Sequence, residues 1–175
     1  MSKKTRLAAF GVFVGVFLVS YTIGNSYKMS ADDLQTFLKD FQSSTAGIDA
    51  IGIFLHNASI ALPMFIPGFG IAWGSFTGWQ TGAAFEAMII SNPSLSGMPP
   101  IALLLATPFG ILELGAYALG MSRSFVVIWR IIKRNPIKKE IVPSLVEIAI
   151  AIGMLIIGGF VEASMMAPQH VSLSS

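Results

Sequence analysis

The sequence contains no cysteine, and only 11% of its residues are charged. The absence of cysteine excludes disulfides, thiol catalysis and cysteine-bound metal or iron–sulfur centres. A soluble domain of ordinary composition carries about 25% charged residues. Because charge is scarce and 54% of the residues are hydrophobic, the composition excludes an ordinary soluble domain and predicts an integral membrane protein.

The usual sequence signatures of catalysis and metal binding are also missing. The chain has no Walker motif, no G-x-S-x-G and no H-E-x-x-H, and its two histidines, His56 and His170, lie far apart. We therefore expect no enzyme, no catalytic residue, no cofactor and no metal site. The net charge of +2 is carried beside apolar segments, which is typical of membrane orientation and not of nucleic-acid binding.

Five stretches predict an all-α, polytopic bundle of about five transmembrane helices that forms one integral membrane domain over residues 1–175. They cover residues 7–24, 48–66, 69–90, 101–123 and 141–166, and a spanning helix needs about 20 residues. A signal peptide is the alternative for the first stretch, since a basic start precedes it. Its 18 residues exceed the usual ~7–15 of a signal peptide, which favours an uncleaved helix.

A short amphipathic helix is predicted outside the membrane, between the first two spans, over residues 30–41. Ser30 is a capping residue, and Asp32 and Asp33 favour the first turn of a helix. Helical spacing brings four apolar residues to one face, namely Leu34, Phe37, Leu38 and Phe41. We expect this face to dock on the bundle, and the membrane surface is the alternative.

Glycine recurs every four residues in the third span, at Gly70, Gly74, Gly78 and Gly82. Such a stripe on one helix face allows the backbone of a neighbouring helix to approach closely. Just before it, residues 67–70 (PGFG) predict a tight turn. The second and third spans are therefore expected to form a hairpin.

The distribution of basic residues predicts the orientation in the cell membrane. With five spans, one side holds Lys3, Lys4, Arg6, Arg130, Lys133, Arg134, Lys138 and Lys139, and the other holds Lys28 and Lys39. Cytoplasmic segments carry the excess of Lys and Arg. The N-terminus is therefore expected in the cytoplasm and the C-terminus outside.

A few polar side chains interrupt the apolar spans. An ionised residue at mid-membrane costs ~3 kcal/mol, so it usually faces protein or water. Counting from the nearer ends of the spans predicts one layer that contains His56, Asn57, Gln80 and Glu113. Such a cluster either holds a proton or a cation, or only satisfies its own hydrogen bonds.

Two further sets of charges follow from the same count. Arg123 and Glu147 lie at comparable depth in the fourth and fifth spans, which predicts an ion pair between them. Glu86 and Glu162 approach the outer interface, where exposure or snorkelling accounts for both.

Three segments resemble the stage II sporulation protein M family. They are IFLHN at residues 53–57, WGSFTGWQTGAAF at 73–85 and TPFGILELGAYALG at 107–120. The last is similar to the family's P-H-G-I-x-E-L signature, with Phe109 in place of the histidine. Asn57 lies where the family has an Asn-rich pair.

The resemblance implies a membrane protein that works in a complex with cell-wall-degrading enzymes and acts as its scaffold. We therefore expect an integral membrane scaffold of a cell-envelope complex, without catalysis of its own. Its expected partners are membrane lipid and other membrane or envelope proteins, including a second copy of the chain. The alternative is a small ion- or proton-coupled transporter or channel that uses the intramembrane polar cluster.

Overall fold

The computed structural model describes residues 3–45, 48–92, 97 and 99–166. This part of the chain forms seven α-helices and one 3₁₀ segment and contains no strand, so the predicted all-α class is confirmed. The elements are α1 (Lys3–Asn25), α2 (Ala31–Thr45), α3 (Ala50–Ala61), the 3₁₀ segment (Leu62–Phe65), α4 (Phe69–Ser91), α5 (Pro100–Ala106), α6 (Pro108–Ile132) and α7 (Lys138–Met166).

Three of the described helices, α1, α6 and α7, are long and apolar enough to cross a membrane. Helix α3 and the 3₁₀ segment form one shorter apolar stretch over Ala50–Phe65. Helix α4 has 23 residues, like α1, but it is not among these three helices. Because three helices of this kind occur in so short a chain, the predicted class of membrane protein is confirmed.

Helix α6 is the centre of the bundle. It packs against α1, α4 and α7, and against the 3₁₀ segment. Every residue from Leu114 to Ala118 is buried, as is every residue from Gly120 to Ser124. Its many small residues make this possible, because they let several helices approach the same backbone.

The predicted fourth span, residues 101–123, is divided between α5 and α6. Thr107 separates them with an extended backbone (φ −96°, ψ 132°) and accepts a hydrogen bond on Oγ1 from the Gly110 N–H at 3.3 Å. The cause is Pro108, which disfavours helical backbone at the residue before it. Helix α6 also continues to Ile132, nine residues beyond the predicted end of the span.

The glycine stripe of α4 faces three different neighbours. A Cβ on Gly82 would overlap the Tyr21 carbonyl oxygen of α1, and one on Gly78 would lie 2.9 Å from the Phe17 carbonyl oxygen. The other two contact the 3₁₀ segment (Gly70, at the Met64 carbonyl) and α6 (Gly74, at the Met121 side chain). Helices α1 and α4 run parallel, since later residues of one meet later residues of the other.

The predicted turn before α4 is present, and Gly68 adopts the left-handed backbone (φ 79°) that it requires. The hairpin is only partial, because α4 packs on the 3₁₀ segment whereas α3 packs chiefly on α7. At the α3–α7 contact, a Cβ on Gly159 would lie 2.9 Å from the Ala50 carbonyl oxygen. Among the described residues, only the last turn of α3 is tied to α4, where the Trp73 Nε1–H donates to the Ile60 carbonyl oxygen at 2.9 Å.

The predicted amphipathic helix forms α2. Ser30 caps it by accepting the Asp33 N–H on its hydroxyl at 3.2 Å. Leu34, Phe37 and Leu38 are partly buried, and α2 contacts α4, whereas the side chain of Phe41 lies outside the described part.

Candidate functional site

Glu113 lies in the second turn of α6 and faces α3. Its Oε1 accepts a hydrogen bond of 2.6 Å from Nδ2 of Asn57, which is buried on α3. Two more polar side chains lie in the same region, namely Glu162 of α7 and Tyr117, one turn further along α6. The hydrogen bond therefore joins α3 to α6, and Glu162 adds a polar group of α7 to the same region.

The structure brings together two of the four residues predicted for this layer. His56 is exposed on the surface of α3, although it precedes Asn57 in sequence. Successive residues of a helix point about 100° apart, so the two side chains leave α3 in different directions. Gln80 is exposed on α4, which packs on α1 and α6. The count of depth placed all four residues at one level, but it did not give the direction in which each side chain leaves its helix.

Glu162 was predicted to be a surface residue of the outer interface, and it is instead half-buried beside Glu113. The antiparallel packing of α6 on α7 explains this position. Both residues are remote from the connector between the two helices, by 20 residues on one side and 25 on the other. Counting outward from the connector would have indicated their proximity.

A second site consists of charges at the opposite end of the α6–α7 pair. Arg123 donates from Nε to Oε2 of Glu147 at 2.9 Å and from Nη1 to Oε2 of Glu140 at 2.7 Å. Arg6 of α1 binds Glu147 through Nε at 2.7 Å, and Arg130 pairs with Glu140. Three arginines and two glutamates thus form a continuous network, which we call the ion network.

The ion network is well shielded from solvent. The Arg123 and Glu140 side chains are only 4% and 8% exposed. Charges removed from water in this way need close partners of opposite sign, because their desolvation is costly. The network therefore fixes α7, α6 and α1 to one another at this end of the bundle.

The sequence predicted only the Arg123–Glu147 pair of this network. Arg130 follows Arg123 by seven residues, and Glu147 follows Glu140 by seven. Seven residues are close to two helical turns, so each pair shares one helix face. Matching seven-residue spacings of opposite charge in consecutive helices were the signal that would have indicated the larger network. No such spacing indicated that Arg6 would take part in the network.

An open cavity of about 790 Å³ lies between α1, α6 and α7 beside the ion network. Its charged lining comprises Lys3, Arg6, Arg123, Arg130, Lys139, Glu140 and Glu147, and its apolar lining includes Leu7, Phe10, Leu119, Pro143 and Met154. Nη1 of Arg6 is buried and has no hydrogen-bond partner in the described part of the chain. The cavity is thus strongly basic at one end and apolar at the other.

Within the described ranges, no group of three or more His, Cys, Asp or Glu residues is suitably placed to hold a metal ion. The ion network clamps three helices together, and the Asn57–Glu113 pair connects two of them through a hydrogen bond.

The family signature coincides with the start of α6. Pro108 begins the helix, and a Cβ on Gly110 would overlap the Leu104 carbonyl oxygen, so this glycine lets α5 and α6 meet closely. Glu113 follows at the hydrogen bond to Asn57. Phe109, which replaces the histidine of the signature, is half-buried with its Cβ about 4 Å from the Cβ position of Gly158 on α7.

Comparison with known proteins gives one family. The family model of stage II sporulation protein M matches residues 5–165, which is most of the chain. No curated protein and no solved structure matches the chain. The resemblance seen in three short motifs thus extends completely over the five helices from α2 to α6 and over nearly all of α1 and α7. The chain belongs to the stage II sporulation protein M family.

Proposed function

We propose that this protein is an integral membrane scaffold that anchors partner proteins in a cell-envelope complex and has no catalytic activity of its own. The family match over residues 5–165 supports it, because the family resemblance implies a complex with cell-wall-degrading enzymes. In this role the protein provides helix surfaces that hold the partners, and the partners carry out the hydrolysis.

The observation that carries the proposal is the exposure of two polar side chains on apolar helices. His56 lies ~9 Å from the start of α3, and Gln80 lies ~16 Å from the start of α4. Lipid tails offer no hydrogen-bond partner at such depths. A transmembrane helix of a partner protein would supply one, since histidine and glutamine form hydrogen bonds across helices in membranes.

The proposal includes five membrane crossings. Helices α1 and α4 are parallel, whereas α6 is antiparallel to α1, as Phe17 beside Tyr117 and Phe13 beside Phe125 indicate. An alternation of five crossings would give these directions. Helix α3 with its 3₁₀ segment is short for a crossing, at ~24 Å against ~30 Å of hydrocarbon. Its packing on α7 and α6 would support it within the bilayer.

We also propose that the N-terminus is cytoplasmic and that α2 and the C-terminus are external. The basic residues at the start of α1 and around the α6–α7 connector are on the same side of the bundle, since Arg6 pairs with Glu147. Cytoplasmic segments carry the excess of basic residues. The cell membrane would then hold the ion network near its inner face.

Affinity purification from the native membrane in mild detergent tests the scaffold role. We expect a stoichiometric envelope protein, identified by mass spectrometry, to copurify with the unaltered chain and to be lost from a His56→Leu/Gln80→Leu variant. The matched control is Leu55→Ala/Phe76→Ala, which changes exposed neighbours on the same two helices. Purification of a homo-oligomer without a different partner would contradict the proposal.

A further inference from the structure

The cavity between α1, α6 and α7 is longer than the hydrocarbon depth of one membrane leaflet. Its lining extends along α6 from Arg130 to Gly115, a distance of ~22 Å at 1.5 Å per residue. One leaflet contributes ~15 Å of hydrocarbon to a bilayer. The cavity is therefore long enough to run from the membrane surface to the middle of the bilayer.

Positive charge exceeds negative charge in the lining. It contains five basic side chains and two carboxylates, and both carboxylates are occupied by the arginines of the ion network. Lys3 and Lys139 are exposed at the mouth and have no ion-pair partner in the described part of the chain. Arg6 also lines the cavity, and its buried Nη1 has no hydrogen-bond partner in the described part of the chain, so these three side chains supply the donors for an anionic group.

The rest of the lining is apolar. It includes Leu7 and Phe10 of α1, Leu119 of α6 and Met154 of α7. Helices α1 and α7 are joined at the inner end by Arg6 and Glu147, and the cavity separates them along the lining. A hydrocarbon chain between them would bury these side chains, and no polar group would lose a partner.

We propose that this cavity binds one anionic phospholipid of the surrounding membrane, with its phosphate at Lys3, Lys139 and Arg6 and its acyl chain against α6. The basic end of the cavity is complementary in charge to such a headgroup, and the adjoining apolar channel is complementary to its acyl chain. Basic pockets between transmembrane helices on the cytoplasmic side bind anionic lipid headgroups in general. The proposal requires that the protein lies in a membrane, and it is independent of the scaffold role and of the identity of any protein partner.

A soluble anion would use only the basic end of the cavity. An acidic peptide would also find the three donors, but the channel toward Gly115 and Met154 offers it no polar partner in the described structure. Only an amphiphile uses both ends. The experiment therefore compares lipids that differ in headgroup charge or chain length with a soluble anion.

Native mass spectrometry of the purified, delipidated full chain tests the proposal. Phosphatidylglycerol and phosphatidylcholine with the same acyl chains are titrated separately into the detergent solution. We expect the first phosphatidylglycerol to bind at least tenfold more tightly than phosphatidylcholine. Phosphatidylglycerol with short acyl chains should bind more weakly, and glycerol phosphate should not displace the long-chain lipid.

Two double variants locate the site. Lys3→Gln/Lys139→Gln removes the lysines at the mouth, which lie outside the ion network, and should lower the affinity for phosphatidylglycerol about tenfold. Lys4→Gln/Lys138→Gln removes the adjacent lysines, which do not line the cavity, and should change the affinity less than twofold. The two variants have the same net charge.

Three results would overturn the proposal. Equal affinity for the two lipids would exclude recognition of the anionic headgroup. Equal loss of affinity in both double variants would indicate general attraction to a basic surface and no site in the cavity. Displacement by glycerol phosphate would show that only the anion is bound. Because no partner protein takes part, failure here leaves the scaffold proposal standing, and the reverse also holds.

Discussion

Arg123 and Glu147 form an ion pair at equal distances from the connector that joins α6 to α7. Arg123 lies ten residues before Lys133, and Glu147 lies ten residues after Ile137. The guanidinium of Arg123 contacts both Glu147 and Glu140, and its side chain is 4% exposed. One arginine thus bridges two carboxylates that are seven residues apart on α7, and each carboxylate also pairs with a second arginine.

Arg123→Leu should destabilise the protein by about 3–5 kcal/mol, because it removes the most deeply buried arginine of the network, which pairs with both Glu140 and Glu147. Arg123→Lys should also be destabilising, since an ammonium group cannot reproduce the planar fork that binds two carboxylates. Thermal unfolding in detergent would measure both effects. Lys4→Leu, at an exposed position outside the network, is the control. Unchanged unfolding of Arg123→Leu would contradict a structural role for the network.

The comparison of Arg123 with His56 indicates which features the sequence could reveal. An unpaired charge inside an apolar span is costly, so charges of opposite sign at equal depth in consecutive antiparallel helices are expected to face each other. Their depth was therefore enough to predict the pairing of Arg123 with Glu147. His56 and Gln80 carry no charge, and nothing in their depth determines the direction in which they leave the helix. Their rotation depends on which neighbours α3 and α4 pack against.

The glycines of α4 illustrate the same limit. Their four-residue spacing correctly indicated close backbone contact, but it did not identify the neighbours. Gly78 and Gly82 contact α1, which is distant in sequence, whereas Gly70 contacts the adjacent 3₁₀ segment. The break at Thr107 is different, because it follows from local sterics alone. Pro108 disfavours helical backbone at the residue before it, so the sequence contained the information needed to predict the break.

Gly82→Ala should destabilise the protein by about 1–3 kcal/mol, because the new methyl group would overlap the Tyr21 carbonyl oxygen and push α1 from α4. Gly15→Ala is the matched control, since the space around Gly15 is open. In the control the better helix propensity of alanine should leave stability equal or raise it by up to about 1 kcal/mol. Equal thermal shifts in the two variants would argue against the close α1–α4 contact.

Glu113→Gln and Glu113→Leu should differ. Glutamine retains an oxygen that can accept the Asn57 hydrogen bond, whereas leucine leaves the buried Asn57 amide unsatisfied at a cost of about 1–3 kcal/mol. Thermal unfolding in detergent should therefore rank glutamine above leucine. If Glu113→Leu unfolds at the same temperature as Glu113→Gln, the hydrogen bond contributes nothing measurable.

Glu113→Gln also separates the scaffold role from the alternative role as a transporter or channel. A scaffold should retain its partner in Glu113→Gln, because the charge has no role beyond local hydrogen bonding. Copurification measures this directly, and reconstituted liposomes provide the second readout. Ion or proton flux in the unaltered protein that disappears in a folded Glu113→Gln variant would favour transport.

Single cysteines can determine the number of crossings, because the chain contains none of its own. Pro67→Cys, in the exposed turn before α4, should be cytoplasmic if α3 and α4 both cross, and external if only α1, α6 and α7 cross. Lys4→Cys and Ser164→Cys mark the cytoplasmic and external sides, and both positions are exposed. A membrane-impermeant maleimide added to intact cells should label Ser164→Cys and should label the other two only after the membrane is permeabilised. Labelling of Pro67→Cys in intact cells would reduce the crossings from five to three, because the turn between α3 and α4 would then lie on the same side as Ser164.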